Sequence, residues 1–499
     1  MPGLWTRKKL EDLRREAAES EHGLKRALGP LALISLGIGA IVGAGIFVLS
    51  GLAAQYTGPA LVLSVILSGV GCAFAGLCYA EFSSMIPVAG SAYTYSYATI
   101  GEFMAWVIGW NLILEYAVGA TTVSIGWSGY LVSFLQRTLH LPFPLELSKS
   151  PWDTIRLADG AVVHPYFNLP AAFIIVAIST LLIVGIRESA NFNSFIVIVK
   201  VGVVLMFILV GVLYVNRANW HPFLPANQGN FGEFGFSGVL RGAGIIFFAY
   251  IGFDAVSTAA QEARNPERDM PIGILGSLGI CTVLYIAVVL VLTGLVPFRE
   301  LNVPDPLAVG IDSTPARLWL SPIVKLGALL GTTAVILVML LGQTRVFYTM
   351  AHDGLLPRVF GAIQPRFRTP YMSTALVGAC AAIGGGLLPL RVVGELVSIG
   401  TLLAFVVVSL SVMVMRRLQP AVRRPFRTPF VWLVAPLAML VCAAQMFGLP
   451  RDTWIRLVVW TAIGLVIYFS YSRHHSVLQN AAKAEPAGVP APRASSLDG

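Results

Sequence analysis

The residues able to do chemistry are few, and they sit in apolar surroundings. Gly37, Gly39, Gly43 and Gly45 place four glycines within nine positions of an apolar run. Each costs a helix about 1 kcal/mol relative to alanine. Such a run reads in two ways: small residues let helices approach closely in a membrane, or the helix is interrupted there. A second run, Gly242 to Ser257, is broken by Gly252 and the ionisable Asp254. An interrupted helix offers free N–H groups at the start of one half, suited to a carboxylate. It offers free carbonyls at the end of the other, suited to an ammonium. An α-amino acid carries both groups on one carbon. Two facing interruptions can therefore hold its backbone without a dedicated charged side chain.

Three ionisable residues fall inside apolar runs and are candidates for moving protons. Lys200 lies in Phe195-Ile-Val-Ile-Val-Lys200. A charge there costs about 2.5–3.5 kcal/mol on insertion scales and marks function by default; the alternative is snorkelling to the nearby end of its span. A buried lysine is able to release its proton, so Lys200 is a candidate for coupling. Glu115, in Trp110-Asn-Leu-Ile-Leu-Glu115-Tyr116, is either a polar contact between helices or a proton carrier. Asp254 either caps the second half of its broken helix or carries a proton. Thr332 and Thr333, after Gly331, are candidates for facing a substrate side chain, with small-residue helix packing as the alternative. Glu395 lies near a span end and is given no role. Arg241 and Lys325 are expected to snorkel.

These residues must be positioned by membrane helices. The chain has 499 residues, 56% hydrophobic and 12% charged, with a mean hydropathy of +0.76, where soluble chains carry roughly 25% charged residues. Runs of about 20 apolar residues, enough to cross ~30 Å of hydrocarbon, are expected near 31–54, 60–84, 101–134, 169–186, 194–215, 237–260, 272–296, 320–347, 372–388, 394–415, 429–447 and 454–472. The reading is an all-α integral membrane protein with twelve transmembrane helices, of which the first and sixth are discontinuous. The first 30 residues lack an apolar run, so no cleavable signal peptide is expected. The tails and alternate loops on one side carry 22 Lys and Arg residues, against nine on the other. That bias places both termini in the cytoplasm and accounts for the net charge of +9 without nucleic acid. Residues 1–28 mix both charges and suit an interfacial helix, whereas 480–499 read as disordered. Cys72, Cys78, Cys281, Cys380 and Cys442 are expected to be buried free thiols, and no metal or cofactor is expected.

Several motifs together resemble the amino acid–polyamine–organocation superfamily, and within it the cationic amino acid transporter subfamily. They are Gly39-Ala-Ile-Val-Gly43-Ala-Gly45-Ile-Phe47, Phe248-Ala-Tyr-Ile-Gly-Phe-Asp254, Glu262-Ala-Arg-Asn-Pro266 with Pro271-Ile-Gly273, and Gly342-Gln-Thr-Arg345 running into Asp353-Gly-Leu-Leu-Pro357. The resemblance covers about residues 30–472. It implies a first inverted five-helix repeat over 30–215 and a second over 216–415, with two further helices over 416–472. They are flanked by a cytoplasmic tail over 1–29 and a disordered cytoplasmic tail over 473–499. It also implies that amides around Gly43, Ala44 and Gly45 take a substrate carboxylate. Carbonyls of Ile41, Phe248, Ala249 and Ile251 would take the α-ammonium. Many relatives carry Ser or Thr where this chain has Ala44, so here the main chain must suffice. In sodium-coupled members of the fold an ion bridges the first helix to the fifth and eighth, and Lys200 resembles a built-in substitute for it.

The expected function is a sodium-independent, proton-coupled secondary transporter of L-amino acids in the cell membrane. An exchanger or polyamine carrier on the same fold is the alternative. No acidic residue falls within Gly327–Met339, which leaves small neutral and cationic substrates both open. The expected partners are substrate, protons and the bilayer, with a small single-span helper subunit as an option and no nucleic acid. An enzyme is not expected: no histidine falls in a span, and Glu115, Asp254 and Glu395 form no evident dyad of aspartates.

Overall fold

The computed structural model describes residues 4–9, 28–86, 91–156, 162–184, 190–227, 229–254, 256–257, 260, 263–364 and 369–484. The expected interfacial helix lies outside them over residues 10–27, and so does the expected disorder of 485–499. Glu262 of the quoted motif also falls outside.

The apolar runs fold as helices: α1 (Pro30–Ile41), α2 (Ser50–Thr57), α3 (Leu61–Met85), α4 (Ser91–Thr99), α5 (Glu102–Ser133), α6 (Leu169–Val184), α7 (Ala190–Gly211), α8 (Gly235–Ile246), α9 (Pro266–Leu295), α10 (Pro306–Asp312), α11 (Arg317–His352), α12 (Tyr371–Leu387), α13 (Leu390–Leu418), α14 (Val431–Gly448) and α15 (Arg451–Ile467). Pro30, Pro266 and Pro306 open their helices, where a missing N–H costs nothing and the fixed φ already fits. Among the described residues, eight helical stretches are long and apolar enough to cross a membrane, and three shorter apolar helices accompany them. The chain is thus an all-α membrane protein. Its only described strands are a short antiparallel pair, Ile155–Arg156 with Val162–Val163, in the loop before α6.

The long helices α5 and α11 pack together through the centre; α9 packs on α1 and α3, and α13 on α5 and α14. Large apolar side chains on the outer faces, such as Ile198 and Leu209 on α7 and Val458 and Val466 on α15, are exposed. In water such a girdle would be a liability, whereas in lipid it is the solvent-matched surface.

Four expectations are corrected. Residues 473–484, assigned to a disordered tail, are helical as α16 (Arg473–His475) and α17 (Val477–Ala484). They are held because the Gln479 amide donates to Glu102 Oε1 at 2.7 Å, joined by the Ser476 hydroxyl on the same carboxylate. Lys325 does not snorkel: it is 1% exposed and lies 3.4 Å from Asp312. Nor does Arg241, whose guanidinium stacks on the Tyr56 ring at 3.6 Å and lies 3.8 Å from buried Glu395. Cys380 is exposed on α12 rather than buried, unlike the other four thiols.

The end of the bundle that carries both termini is closed by buried carboxylates. Asp353 accepts from Lys8 Nζ at 2.9 Å and from the Tyr93 hydroxyl at 2.7 Å, which pins the N-terminal segment and α4 to the end of α11. Glu81, near the end of α3, receives Arg416 at 2.6 Å, Arg424 at 3.4 Å and the Thr428 amide at 2.8 Å. Removing one partner of a buried ion pair costs more than the pair contributes, because the other charge is stranded. Glu81→Ala is therefore expected to destabilise the protein by about 3 kcal/mol, seen as a clear drop in the thermal unfolding midpoint in detergent.

Candidate functional site

The first broken helix is built by its glycines. The hydrogen-bond ladder of α1 stops at Val42, whose N–H reaches the Ile38 carbonyl at 2.8 Å. It resumes with the Phe47 N–H on the Gly43 carbonyl at 3.1 Å, as a π-helical turn over Gly45–Leu49 that leads into α2. The amides of Gly43, Ala44 and Gly45 lie in that gap, at the start of the second half-helix, where N–H groups have no intrahelical partner. All three residues are buried.

The second break mirrors it. After α8 the chain tightens into a 3-10 turn over Phe247–Tyr250, and Ile251 is extended at φ −60°, ψ 134°. Gly252 then takes φ +120°, a conformation that L side chains rarely adopt. Its position against helix α1 is equally restrictive, since a Cβ there would lie 2.8 Å from the Ala40 backbone. The two breaks touch directly: a Cβ on Gly45 would lie 2.0 Å from Ala249 Cα. Both glycines are thus fixed by backbone-to-backbone contact between the two interrupted segments.

The predicted carbonyls point to different fates. Ile41 and Ala249, expected from sequence to face one ligand, both lie against the Tyr285 hydroxyl of α9, at 2.8 and 2.9 Å. One hydroxyl proton serves one carbonyl at a time, so one of the pair always keeps its capacity to accept from an ammonium. The Phe248 carbonyl accepts from the Ile251 N–H at 3.2 Å. Over Gly43 sits Val335 of α11, close enough that a Cβ would meet its Cγ2 at 2.5 Å. Thr332 is fully buried and its hydroxyl donates to the Ala328 carbonyl at 2.6 Å, within its own helix. Thr333 likewise donates within its helix, to the Leu329 carbonyl at 2.7 Å, and it also accepts from the Trp127 indole at 3.0 Å, which joins α11 to α5. Tyr285, Trp127 and Val335 were missed in the sequence because an aromatic or aliphatic residue in an apolar run carries no signal of its neighbours.

The intramembrane charges are drawn to the breaks. Lys200 is 0% exposed, its Nζ donates to the Gly39 carbonyl at 2.8 Å, and its stem rests on Gly331 of α11. It therefore ties α1, α7 and α11 together and does not snorkel. Among the described residues no carboxylate lies within ion-pair distance of it. Asp254 is satisfied locally: Oδ1 accepts from the Gly252 N–H at 3.2 Å and Oδ2 from the Tyr116 hydroxyl at 3.0 Å. It caps the break that it follows. Glu115, one helical position before Tyr116, is 1% exposed; it interacts with Asp254 and Thr401, and its Oε1 has no hydrogen-bond partner among the described residues.

On the face opposite the termini, a cavity of about 740 Å³ opens above α2, with Gln55, Tyr56, Asn168, Asp305 and Arg391 among its lining. Burial pushes the Asp305 carboxyl up from its ordinary range, opposed by Ser133 and Arg137.

Two facing interruptions buried in a membrane helix bundle define a transporter-type site. The chain belongs to the amino acid permease family, whose sequence profile matches residues 28–469. It is an amino acid–polyamine–organocation permease that resembles cationic amino acid transporters. It is 46% identical to the branched-chain amino acid permease BcaP of Bacillus subtilis, over 95% of this chain and 99% of that one. Identity to the methylthioribose transporter of the same organism is 44%, over 96% of this chain and all of the relative. A vacuolar cationic amino acid transporter of Arabidopsis thaliana is 36% identical, over 84% of this chain and 68% of that protein.

Because Gly45 meets backbone and not a flexible side chain, Gly45→Val is expected to abolish substrate uptake into proteoliposomes while the protein still inserts and keeps its far-UV helix signal. Uptake by Gly45→Val within twofold of the parent would show that the two breaks do not need to meet.

Proposed function

We propose that this chain is a sodium-independent amino acid transporter that works by alternating access, with protons coupled to net uptake. The observation that carries this reading is the contact of Gly45 with Ala249, which brings amides from one broken helix and carbonyls from the other to one buried place. An amino acid's carboxylate would take the amides of Gly43, Ala44 and Gly45. Its ammonium would take whichever of the Ile41 and Ala249 carbonyls Tyr285 leaves free, together with those of Phe248 and Ile251.

A twelve-crossing layout, in two inverted five-helix repeats plus two helices, is supported by arithmetic. The stretch Pro30–Met85 has 56 residues, about 84 Å as one rod at 1.5 Å per residue, far more than ~30 Å of hydrocarbon. Gly58, at φ +63°, interrupts it. Read as two crossings and added to the other seven and the three shorter helices, it makes twelve. The excess of Lys and Arg in the tails and alternate loops supports cytoplasmic termini in the cell membrane.

Lys200 would stand where a coupling cation otherwise bridges α1 to α7 and α11, which is why sodium is not required. On losing a proton its bond to the Gly39 carbonyl would weaken from a charge-assisted to a neutral one, which would loosen α1. Glu115 and Asp254, two buried carboxyls in contact with no facing cation among the described residues, would hold the transported proton. The Val335 wall and the absence of acid in Gly327–Met339 favour a small neutral side chain. A second reading comes from the methylthioribose relative: an uncharged solute would need neither amides nor carbonyls as charge partners. Competition separates the two. Unlabelled L-leucine, L-alanine or L-arginine is expected to block radiolabelled amino acid uptake, and methylthioribose is not. Inhibition by methylthioribose alone would overturn the amino acid reading.

Lys200→Met is expected to lower proton-driven net uptake at least tenfold, and wild-type rates with intact proton dependence would remove Lys200 from the cycle. Glu115→Gln is expected to flatten the dependence of net uptake on external pH while sparing exchange of internal for external substrate, measured in the same vesicles. An unchanged pH profile would assign Glu115 to helix packing.

A further inference from the structure

A groove of about 680 Å³ opens at the membrane edge between the start of α9 and the loop joining α13 to α14. Its rim carries Arg268 and Arg423 with one carboxylate, Glu267, and its walls include Leu275, Gly276, Pro425 and Phe426. The site lies at the end of the bundle that holds both termini, where Gly276 packs on Ile34 of α1.

Charge in this region is unbalanced on the surface. Arg416 and Arg424 turn inward to Glu81, whereas Arg268, Arg417, Arg423 and Arg427 are exposed. Glu267 faces Arg423 at 3.1 Å, but both are solvent-exposed, and such a pair is worth little and exchanges readily for a phosphate. The Arg417 guanidinium lies 5.0 Å over the exposed Trp432 ring, the aromatic-and-basic pairing typical of headgroup level.

Below the rim the groove runs into an apolar track. Ile272, Ile280 and Val283 of α9 are 38%, 44% and 68% exposed, and Gly279 beside them has open space where a side chain would be. Val70 of α3, the helix packed on α9, is also exposed. From Ile272 to Val283 the track measures about 16 Å at 1.5 Å per residue, against ~15 Å for half of a ~30 Å hydrocarbon core. A soluble anion would use the rim alone. Only an amphiphile with an anionic head and a leaflet-length tail uses both.

We propose that this groove is a binding site for one anionic phospholipid of the leaflet facing the termini. Its phosphate sits between Arg268 and Arg423, and one acyl chain follows Leu275, Gly276 and Gly279.

Native mass spectrometry of the full chain in detergent tests it, with phosphatidylglycerol, phosphatidylcholine and inorganic phosphate as probes. One phosphatidylglycerol is expected to be retained at concentrations where phosphatidylcholine is not, and inorganic phosphate is not expected to displace it. Arg268→Ala and Arg423→Ala should each weaken retention about fivefold, as one basic residue at a charged surface does. Gly279→Leu, which fills the track without touching an arginine, should weaken it too, and Arg137→Ala on the opposite face should not. Equal retention of phosphatidylcholine, displacement by inorganic phosphate, or full retention by Gly279→Leu and the arginine variants would each overturn the proposal.

Discussion

A peptide group inside hydrocarbon has no water to bond, so its N–H and C=O must find partners within the protein, at a penalty of several kcal/mol for each that does not. The structure is arranged around two places where a helix gives up that ladder. Each break is tolerable only because the other covers it. Gly45 rests on the Ala249 backbone and Gly252 on that of Ala40, so the freed groups of one segment face protein and not lipid. Local side chains satisfy part of what remains. Asp254 takes the Gly252 amide, and Tyr285 stands between the Ile41 and Ala249 carbonyls. What remains is a small set of oriented dipoles in a buried place, where a low dielectric strengthens their interaction with charge.

The buried lysine belongs to the same constraint. Gly39 lies in the last turn before the first break, where carbonyls lose their helical donors, and Lys200 Nζ supplies one at 2.8 Å. Its stem passes Gly331 of α11, where an added methyl would lie 3.4 Å from it. The half of the site made by α1 is thus held from the side by a charge, whereas the half made by α8 and the turn after it is held by Tyr250 on the Val65 carbonyl and by the capped break. The first anchor is a single side-chain donor reaching across from another helix, whereas the second lies partly within its own segment.

The ends of the bundle are built differently from its middle. Glu81, Glu102 and Asp353 gather arginine, lysine, tyrosine and amide donors from segments far apart in the chain. Across the membrane, Glu395 lies between Arg241 and Arg456 and accepts from Thr453. These clusters fasten loops and terminal segments to helix ends, where a few strong contacts replace the broad apolar packing of the centre. They also explain why residues just after the last apolar helix are ordered: α17 begins at Val477, and its neighbour Ser476 is held by Glu102.

Much of this was legible from residue types. Apolar runs of the right length marked the helices, because lipid tolerates little else. Glycine crowding at 37–45, and glycine next to an ionisable residue at 252–254, marked the two breaks, because such residues oppose a continuous helix. Lys200 announced itself by its cost in an apolar run. Partners were not legible. Whether Arg241 and Lys325 reach to the surface or turn to Glu395 and Asp312 depends on which helix stands beside them, as does the bridging of two carbonyls by Tyr285. Composition along one chain determined where the backbone could not stay helical and which charges lipid would not accept. Only the tertiary structure decided what each freed group meets, because that depends on partners brought in from elsewhere in the chain, as Tyr285 is brought to Ile41 across 244 residues.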